Sequence, residues 1–159
     1  MINNASELNS LIDEILKKVG FHKNKNTWYF YSYECICFFT IEKAPHGSGY
    51  FGHLLGCFLR ELRNDLEEFP KYYEKDLGYN LSEIIGKEIP KNAFDLLNNK
   101  FISNERELVI TELFENYIIV FLKEVSSKEG IKEAIIKYPK LKFFLSMELK
   151  KLLLIPIRS

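Results

Sequence analysis

Residues 35–59 decide the fold of this chain, and they read CICFFTIEKAPHGSGYFGHLLGCFL. Two runs rich in apolar and aromatic side chains flank a loop of Pro, Gly and Ser, which is the sequence signature of a β-hairpin. The first run is apolar on both of its alternating faces, so we expect a central strand that is covered on both sides. The second run contains Gly52 and Gly56. These glycines indicate a bulge or the close approach of a helix or an aromatic ring.

A third strand is predicted just before the hairpin. Residues 27–33 read TWYFYSY, and β-branched and aromatic residues at this density are typical of a pleated strand. Alternation places Tyr29, Tyr31 and Tyr33 on one face of this strand, whereas Trp28 begins the opposite face. Three consecutive strands joined by short connections predict an antiparallel meander.

Helical patterns lie on either side of the predicted sheet. Apolar side chains recur with a helical period over residues 5–19, and Gly20 follows where a left-handed residue commonly ends a helix. The last third of the chain contains three further apolar stripes, the second of them opened by a capping box at Ser126 and Glu129. The sequence therefore predicts a single α+β domain over residues 1–159. It consists of an antiparallel β-meander of three to five strands packed against an N-terminal helix and a helical C-terminal third.

Residues 60–100 carry weaker signals than the rest of the chain. Apolar spacing over residues 59–69 favours a short helix that ends before Pro70. After that proline, Gly and Asn punctuate the chain, and either a strand or a helical turn fits between residues 79 and 89. The sequence alone does not decide between these alternatives.

Composition limits the classes of function. Lys and Arg total 22 and Asp and Glu total 22, so the basic excess that supports nonspecific nucleic-acid binding is absent. Lys is far commoner than Arg and Ala is scarce, which predicts the AT-rich codons of a low-GC bacterial genome.

An odd number of cysteines (Cys35, Cys37 and Cys57) within apolar runs favours reduced thiols in a cytoplasmic protein. There is neither a secretory signal pattern nor a run of about 20 apolar residues, so we expect no membrane partner.

Four segments resemble domain-of-unknown-function family 4304. They are the end of the first helix, KKVGF, the strand TWYFY, the strand end IEKA, and SGYFGHLLGCFL after the Gly/Ser loop. The resemblance spans residues 8–59 and, less specifically, the C-terminal helices. It implies an α+β fold with a further strand after the hairpin, which is not recognisable between residues 60 and 90. The family has no established activity, so the resemblance supplies no catalytic residues.

The candidate catalytic residues lie at the hairpin loop. Glu42 and Lys43 at a strand end, with His46 in the loop, could act as acid and base in a small hydrolase or transferase. The alternative is that they are solvated charges where the strand leaves the core. His53 and Cys57 are about 13 Å apart along a strand, so one metal ion cannot bind both. We expect neither a metal nor another cofactor.

A second set of candidates could bind a partner through the sheet surface and the acidic stretch that follows it. The candidate partner-binding residues are Tyr29, Tyr31, Tyr33, Asp65, Glu67 and Glu68. Exposed aromatic residues in a row can anchor a protein partner, and an acidic cluster can meet a basic one. The alternatives are that the C-terminal helices cover the tyrosines and that the acidic residues are simply solvated. The leading hypothesis is a non-catalytic protein-binding module of the toxin-neutralising (immunity) kind.

Overall fold

The computed structural model describes residues 2–43, 51–85, 91–97 and 104–157. It confirms the predicted α+β architecture: an N-terminal helix, a five-stranded antiparallel meander and C-terminal helices. No helix within these ranges is long and apolar enough to cross a bilayer. The catalytic candidate His46 lies outside the described residues.

The strands follow one another in space in the same order as in the chain. They are β1 (His22–Asn24), β2 (Thr27–Tyr31), β3 (Cys35–Lys43), β4 (Phe51–Leu59) and β5 (Leu77–Tyr79). The α-helices are α1 (Ala5–Lys18), α2 (Leu81–Ile85), α3 (Glu105–Leu113), α4 (Ile119–Glu124), α5 (Lys128–Lys137) and α6 (Met147–Leu152). A π-helical turn, Phe114–Ile118, joins α3 to α4 without a break.

The first helix forms where its sequence pattern predicts. The Asn4 side chain accepts a hydrogen bond from the Glu7 backbone N–H at 2.9 Å, which caps the start of α1. Gly20 has a φ of +90°, so the helix ends through the left-handed conformation that glycine adopts at little cost. The indole Nε1 of Trp28 donates to Asp13 Oδ1 at 3.0 Å, which fixes α1 against β2.

The central strand, β3, is buried on both faces, as its continuous apolar sequence predicts. Cys37 and Phe39 face the main core, where the Phe39 ring meets Phe114 of the π-helical turn with 5.0 Å between ring centroids. Ile36 and Phe38 face a second, smaller core on the other side of the sheet. The helices cover the main core, so a different element has to cover the second one.

Sequence reasoning missed β1 and made β2 two residues too long. Polar residues such as Lys23 suit a short edge strand, where charge discourages pairing with other chains, but the same residues also resemble a loop. Lys25 turns the β1–β2 hairpin with a φ of +56°. Because β2 ends at Tyr31, Tyr33 lies in the turn before β3 and does not extend the strand face.

The fifth strand explains one of the hairpin glycines. In the β4–β5 ladder Gly56 stands directly opposite Gly78. A Cβ atom on Gly56 would overlap the backbone carbonyl of Leu77, so the close approach comes from a neighbouring strand and not from a helix or an aromatic ring. This strand ends at Tyr79, and of the strand or helical turn expected between residues 79 and 89 the helical turn is confirmed, as α2.

Two details of the C-terminal third differ from the sequence prediction. Ser127, not Ser126, caps α5 by accepting a hydrogen bond from the Gly130 N–H at 2.9 Å. The last apolar stripe is not one helix, since a 3-10 helix (Pro139–Phe144) and α6 are separated by the extended residue Leu145. Leu145 forms a β-bridge with Leu77, and this tertiary contact interrupts the helical pattern.

Candidate functional site

The second core is covered by an irregular segment, residues 63–76, which we call the covering loop. The predicted short helix before Pro70 does not form. Only Arg60–Leu62 adopts a 3-10 turn, and the chain then crosses the face of the sheet. The side chains that the covering loop turns inward are Leu66, Phe69 and Tyr72. They pack on Tyr29, Ile36, Phe38 and Phe58 of the sheet.

Two tyrosine hydroxyls hold the middle of the covering loop. Tyr29 donates to the Pro70 carbonyl oxygen at 2.9 Å, and Tyr31 donates to the Glu68 carbonyl oxygen. Burial, followed by the charge of Glu68, raises the pKa of Tyr31 to about 12. Burial also raises the pKa of Tyr29. Both phenols therefore keep their protons and donate to the loop backbone at physiological pH.

The ends of the covering loop are joined by a salt bridge between Arg63 and Asp76. Asp76 is buried, and its carboxylate receives Arg63 Nε at 3.2 Å and Nη2 at 3.1 Å. The same carboxylate accepts from the Leu59 backbone N–H at 2.9 Å and from Ser146 Oγ at 3.2 Å. The hydrogen bond to Asp76 is the main cause that raises the pKa of Arg63. The loop is thus fixed to β4 and to the start of α6.

The expectation of an exposed tyrosine stripe is wrong. Tyr29 is 4% exposed and Tyr31 is half-buried, because the covering loop lies over both. Tyr33 is 97% exposed, since it lies in the turn beyond the strand. The alternative that C-terminal helices cover the tyrosines is also wrong, because those helices pack on the opposite face of the sheet.

The acidic candidates lie on the outer side of the covering loop. Asp65, Glu67 and Glu68 are all exposed. None of the ion pairs formed within the described residues includes them. Other exposed carboxylates, such as that of Glu61, pair with a lysine. The structure therefore places these three carboxylates on one loop outside the ion pairs of the described residues.

Of the three acidic candidates, Glu67 lines a groove of about 450 Å³, which we call the Tyr73 groove. Its walls come from the β1–β2 turn, from Thr40 and Glu42 of β3, and from the covering loop. Glu67 and Tyr73 line the loop side, and the Tyr73 ring is 62% exposed. A hydrogen bond with Tyr73 raises the pKa of Lys71, which keeps that ammonium charged at the rim.

A second cleft, of about 470 Å³, lies at the other end of β3, and we call it the Tyr33 cleft. Tyr33, Arg60 and Lys128 line it. Its charges are largely paired: the Glu34 carboxylate accepts from the Lys128 backbone N–H at the start of α5, and Lys128 Nζ lies 2.9 Å from Glu61 Oε2. Tyr33 therefore projects from a rim whose neighbouring charges are paired.

The two catalytic candidates within the described residues, Glu42 and Lys43, do not converge. Glu42 and Lys43 are both exposed, and as neighbours on β3 their side chains point to opposite faces of the sheet. Glu42 lines the Tyr73 groove. Among the residues that the structure describes, no group of three or more His, Cys, Asp or Glu side chains could hold a metal ion.

Sequence reasoning missed Arg63 and Asp76, which hold the covering loop in place. One signal could have pointed to Arg63. The chain has only four arginines, and two of them, Arg60 and Arg63, lie within four residues of each other. Arginine binds carboxylates in a two-pronged geometry that lysine cannot reproduce, so its use in a lysine-rich chain indicates a fixed polar contact.

The fold and the two clefts define a small α+β protein whose antiparallel sheet is covered by helices on one face and by a loop on the other. The model of the family described as Domain of unknown function (DUF4304) matches residues 12–124, and the chain belongs to this family. The resemblance inferred from sequence is confirmed, and the matched range includes the whole sheet and the covering loop. No curated protein and no solved structure matches the chain.

Proposed function

We propose that this protein is a non-catalytic protein-binding module of the toxin-neutralising (immunity) kind, acting in the bacterial cytoplasm, and that the covering loop meets the partner. One observation carries the proposal: Asp65, Glu67 and Glu68 are exposed on a fixed loop, and they belong to none of the ion pairs of the described residues. The partner surface that suits them is basic.

The covering loop is organised before binding. The hydroxyls of Tyr29 and Tyr31 already hold its backbone, and the Asp76 carboxylate ties its end to the Leu59 N–H of β4. A surface ordered in advance loses less conformational entropy when it binds, so more of the contact energy appears as affinity. Exposed carboxylates add long-range attraction to a basic partner and raise the association rate.

Two aromatic side chains near the loop can act as anchors. Tyr33 and Tyr73 are strongly exposed, and each lines a cleft at a different end of β3. Tyrosine and arginine are the residue types that most often dominate binding energy at interfaces, and Arg60 lies beside Tyr33 in its cleft. Toxins that act on nucleic acids carry the basic surface that such an acidic face complements.

The test compares three baits in pulldowns from native lysate of the source bacterium, quantified by mass spectrometry. The baits are the wild type, a loop variant with Asp65→Asn, Glu67→Gln and Glu68→Gln, and a control with Glu112→Gln, Glu115→Gln and Glu133→Gln. All six positions are exposed, so each variant removes three surface charges. We expect a basic partner that the wild type and the control retain and that the loop variant binds about tenfold more weakly.

The same partner should dissociate as salt is raised, because exposed charges are screened within about 10 Å at 0.1 M salt. Co-expression of the partner alone should arrest growth, and co-expression with the wild type should restore it. If the loop variant retains every protein that the control retains, the covering loop is not the binding surface. If the retained partner is harmless when expressed alone, the immunity assignment is wrong.

A further inference from the structure

The segment that follows the family match, residues 125–159, differs in charge from the rest of the chain. It contains eight Lys and Arg against three Asp and Glu, whereas residues 1–124 contain 14 against 19. The formal net charge of zero therefore hides a basic C-terminal segment joined to an acidic remainder. Lys128, Lys137 and Lys140 pair with carboxylates of the remainder, whereas Lys150 and Lys151 belong to none of the ion pairs of the described residues.

The same segment exposes apolar side chains. Of the eleven large apolar side chains that are strongly exposed within the described residues, six lie in it. They are Ile136, Phe143, Phe144, Met147, Leu154 and Ile157. Single exposed apolar residues are ordinary on any protein, but a concentration of them in a short segment marks an interaction surface.

Apolar and basic side chains share the outer side of this segment. In the 3-10 helix, Lys140 and Phe143 are three residues apart and so project in the same direction, and Lys142 Nζ lies 5.1 Å from the Phe143 ring centroid. In α6, Met147 and Lys151 are four residues apart and exposed on the side opposite the buried Leu149.

Leu154 is an independent observation. It follows α6 with a φ of +58°, in the left-handed conformation that favours glycine, and it is 90% exposed. The Ile155 N–H donates to the Lys150 carbonyl oxygen, as expected for a helix that ends through a left-handed residue. A leucine in this conformation strains the backbone, and its side chain is not buried against the rest of the fold. Local strain without a packing gain is a feature of functional positions.

We propose that this basic apolar surface, formed by Phe143, Met147, Lys150, Lys151 and Leu154, lies against an anionic membrane surface. The apolar side chains would enter the boundary between headgroups and acyl chains, and the lysine ammonium groups would meet the lipid phosphates. The expectation of no membrane partner rested on the lack of a spanning run, and a protein that only lies on a bilayer needs none.

Lipid fits this surface better than nucleic acid or an acidic protein. Exposed aliphatic chains such as Met147 and Leu154 match hydrocarbon, whereas single-stranded nucleic acids stack on aromatic rings. Lysine supplies compact point charges suited to dispersed headgroups, whereas tight recognition of one phosphate or carboxylate favours arginine. The apolar side chains also lie outside the Tyr33 cleft and the Tyr73 groove, where a protein partner would find recesses.

The test is co-sedimentation of the full chain with vesicles of phosphatidylcholine alone or with about one quarter phosphatidylglycerol. We expect binding to the anionic vesicles only, falling about tenfold between about 0.1 and 0.5 M NaCl. Leu154→Gly should weaken binding about tenfold while leaving the denaturant midpoint equal or higher. Lys150→Gln with Lys151→Gln should weaken it by a similar factor.

The matched control is Lys17→Gln with Lys123→Gln, which removes two exposed lysines from other helices and should change binding by less than about twofold. Equal binding to both vesicle types would overturn the proposal, and so would an equal loss in the control. Failure to sediment with the anionic vesicles would also overturn it, and retention of RNA or of an acidic protein by this surface would then identify the partner class. The proposed function is unaffected by these outcomes, since it concerns the covering loop.

Discussion

Replacement of Asp76 by alanine should lower the free energy of unfolding by about 3 kcal/mol. Asp76 lies at the base of the covering loop, and its carboxylate joins three elements: the end of β4, Arg63 at the start of the loop, and Ser146 before α6. The side chain is buried, so its loss removes acceptors that water cannot replace without opening the structure.

The expected decrease in the free energy of unfolding is the sum of the costs of the hydrogen bonds that the donors to Asp76 lose. The backbone N–H of Leu59, a buried residue, loses its 2.9 Å bond to Asp76 Oδ2, which costs about 1–3 kcal/mol when the donor stays unsatisfied. The side chain of Arg63 is 30% exposed and can turn toward solvent, so its share is discounted to about 0.5–1 kcal/mol. Ser146 is half-buried and contributes a similar amount.

Two assays separate the global effect from the local one. Urea titration monitored by the fluorescence of Trp28 measures the free energy of unfolding. Hydrogen exchange, read by mass spectrometry, measures the protection of residues 63–76. Because Asp76 holds the loop as well as stabilising the fold, protection of the loop should fall by more than protection of β3.

Asp65→Ala is the matched control. It removes an aspartate from the same loop, but this one is exposed and belongs to none of the ion pairs of the described residues. Its effect should stay within about 0.5 kcal/mol. A loss below about 1 kcal/mol for Asp76→Ala, or a loss equal to that of Asp65→Ala, would refute the view that this carboxylate fixes the loop.

Three further predictions concern other parts of the fold. Gly56→Ala should cost at least about 3 kcal/mol in urea titrations, because the new Cβ overlaps the Leu77 carbonyl in the adjacent strand. Ser127→Ala should cost about 1 kcal/mol in the same assay and Ser126→Ala less than half of that, since only Ser127 caps α5. Because burial favours the neutral phenol of Tyr31, its contribution to stability is complete below pH 10 and is lost as pH rises through about 12. Tyr31→Phe should therefore reduce the alkaline loss of stability measured between pH 8 and pH 12.

The hairpin could be predicted because its signals are local. Residues 35–43 are apolar on both faces, which only a central strand satisfies, and the register of β3 with β4 follows once the loop between them is recognised. The first helix carries its own cap at Asn4 and its own terminator at Gly20. Local patterns of this kind do not depend on what the rest of the chain does.

The covering loop could not be predicted, because tertiary contacts decide it. Leu66 and Phe69 are spaced as in a helix, but the carbonyls of the adjacent Glu68 and Pro70 are bound instead by tyrosines of the sheet, more than 30 residues away in sequence. Hydrogen bonds from side-chain hydroxyls to loop carbonyls leave no periodic signal in the sequence. For the same reason the tyrosine face looked available in the sequence although the loop occupies it.

The two proposed surfaces can be separated experimentally because they lie on different parts of the chain. The covering loop falls within the family match at residues 12–124, and the basic apolar surface falls outside it. Substitution of Asp65, Glu67 and Glu68 should therefore weaken partner binding about tenfold and leave vesicle binding intact, whereas Leu154→Gly should do the reverse. If either variant impaired both activities, the chain would have one continuous interface, and the opposite charges of its two parts would then need to be explained within a single complex.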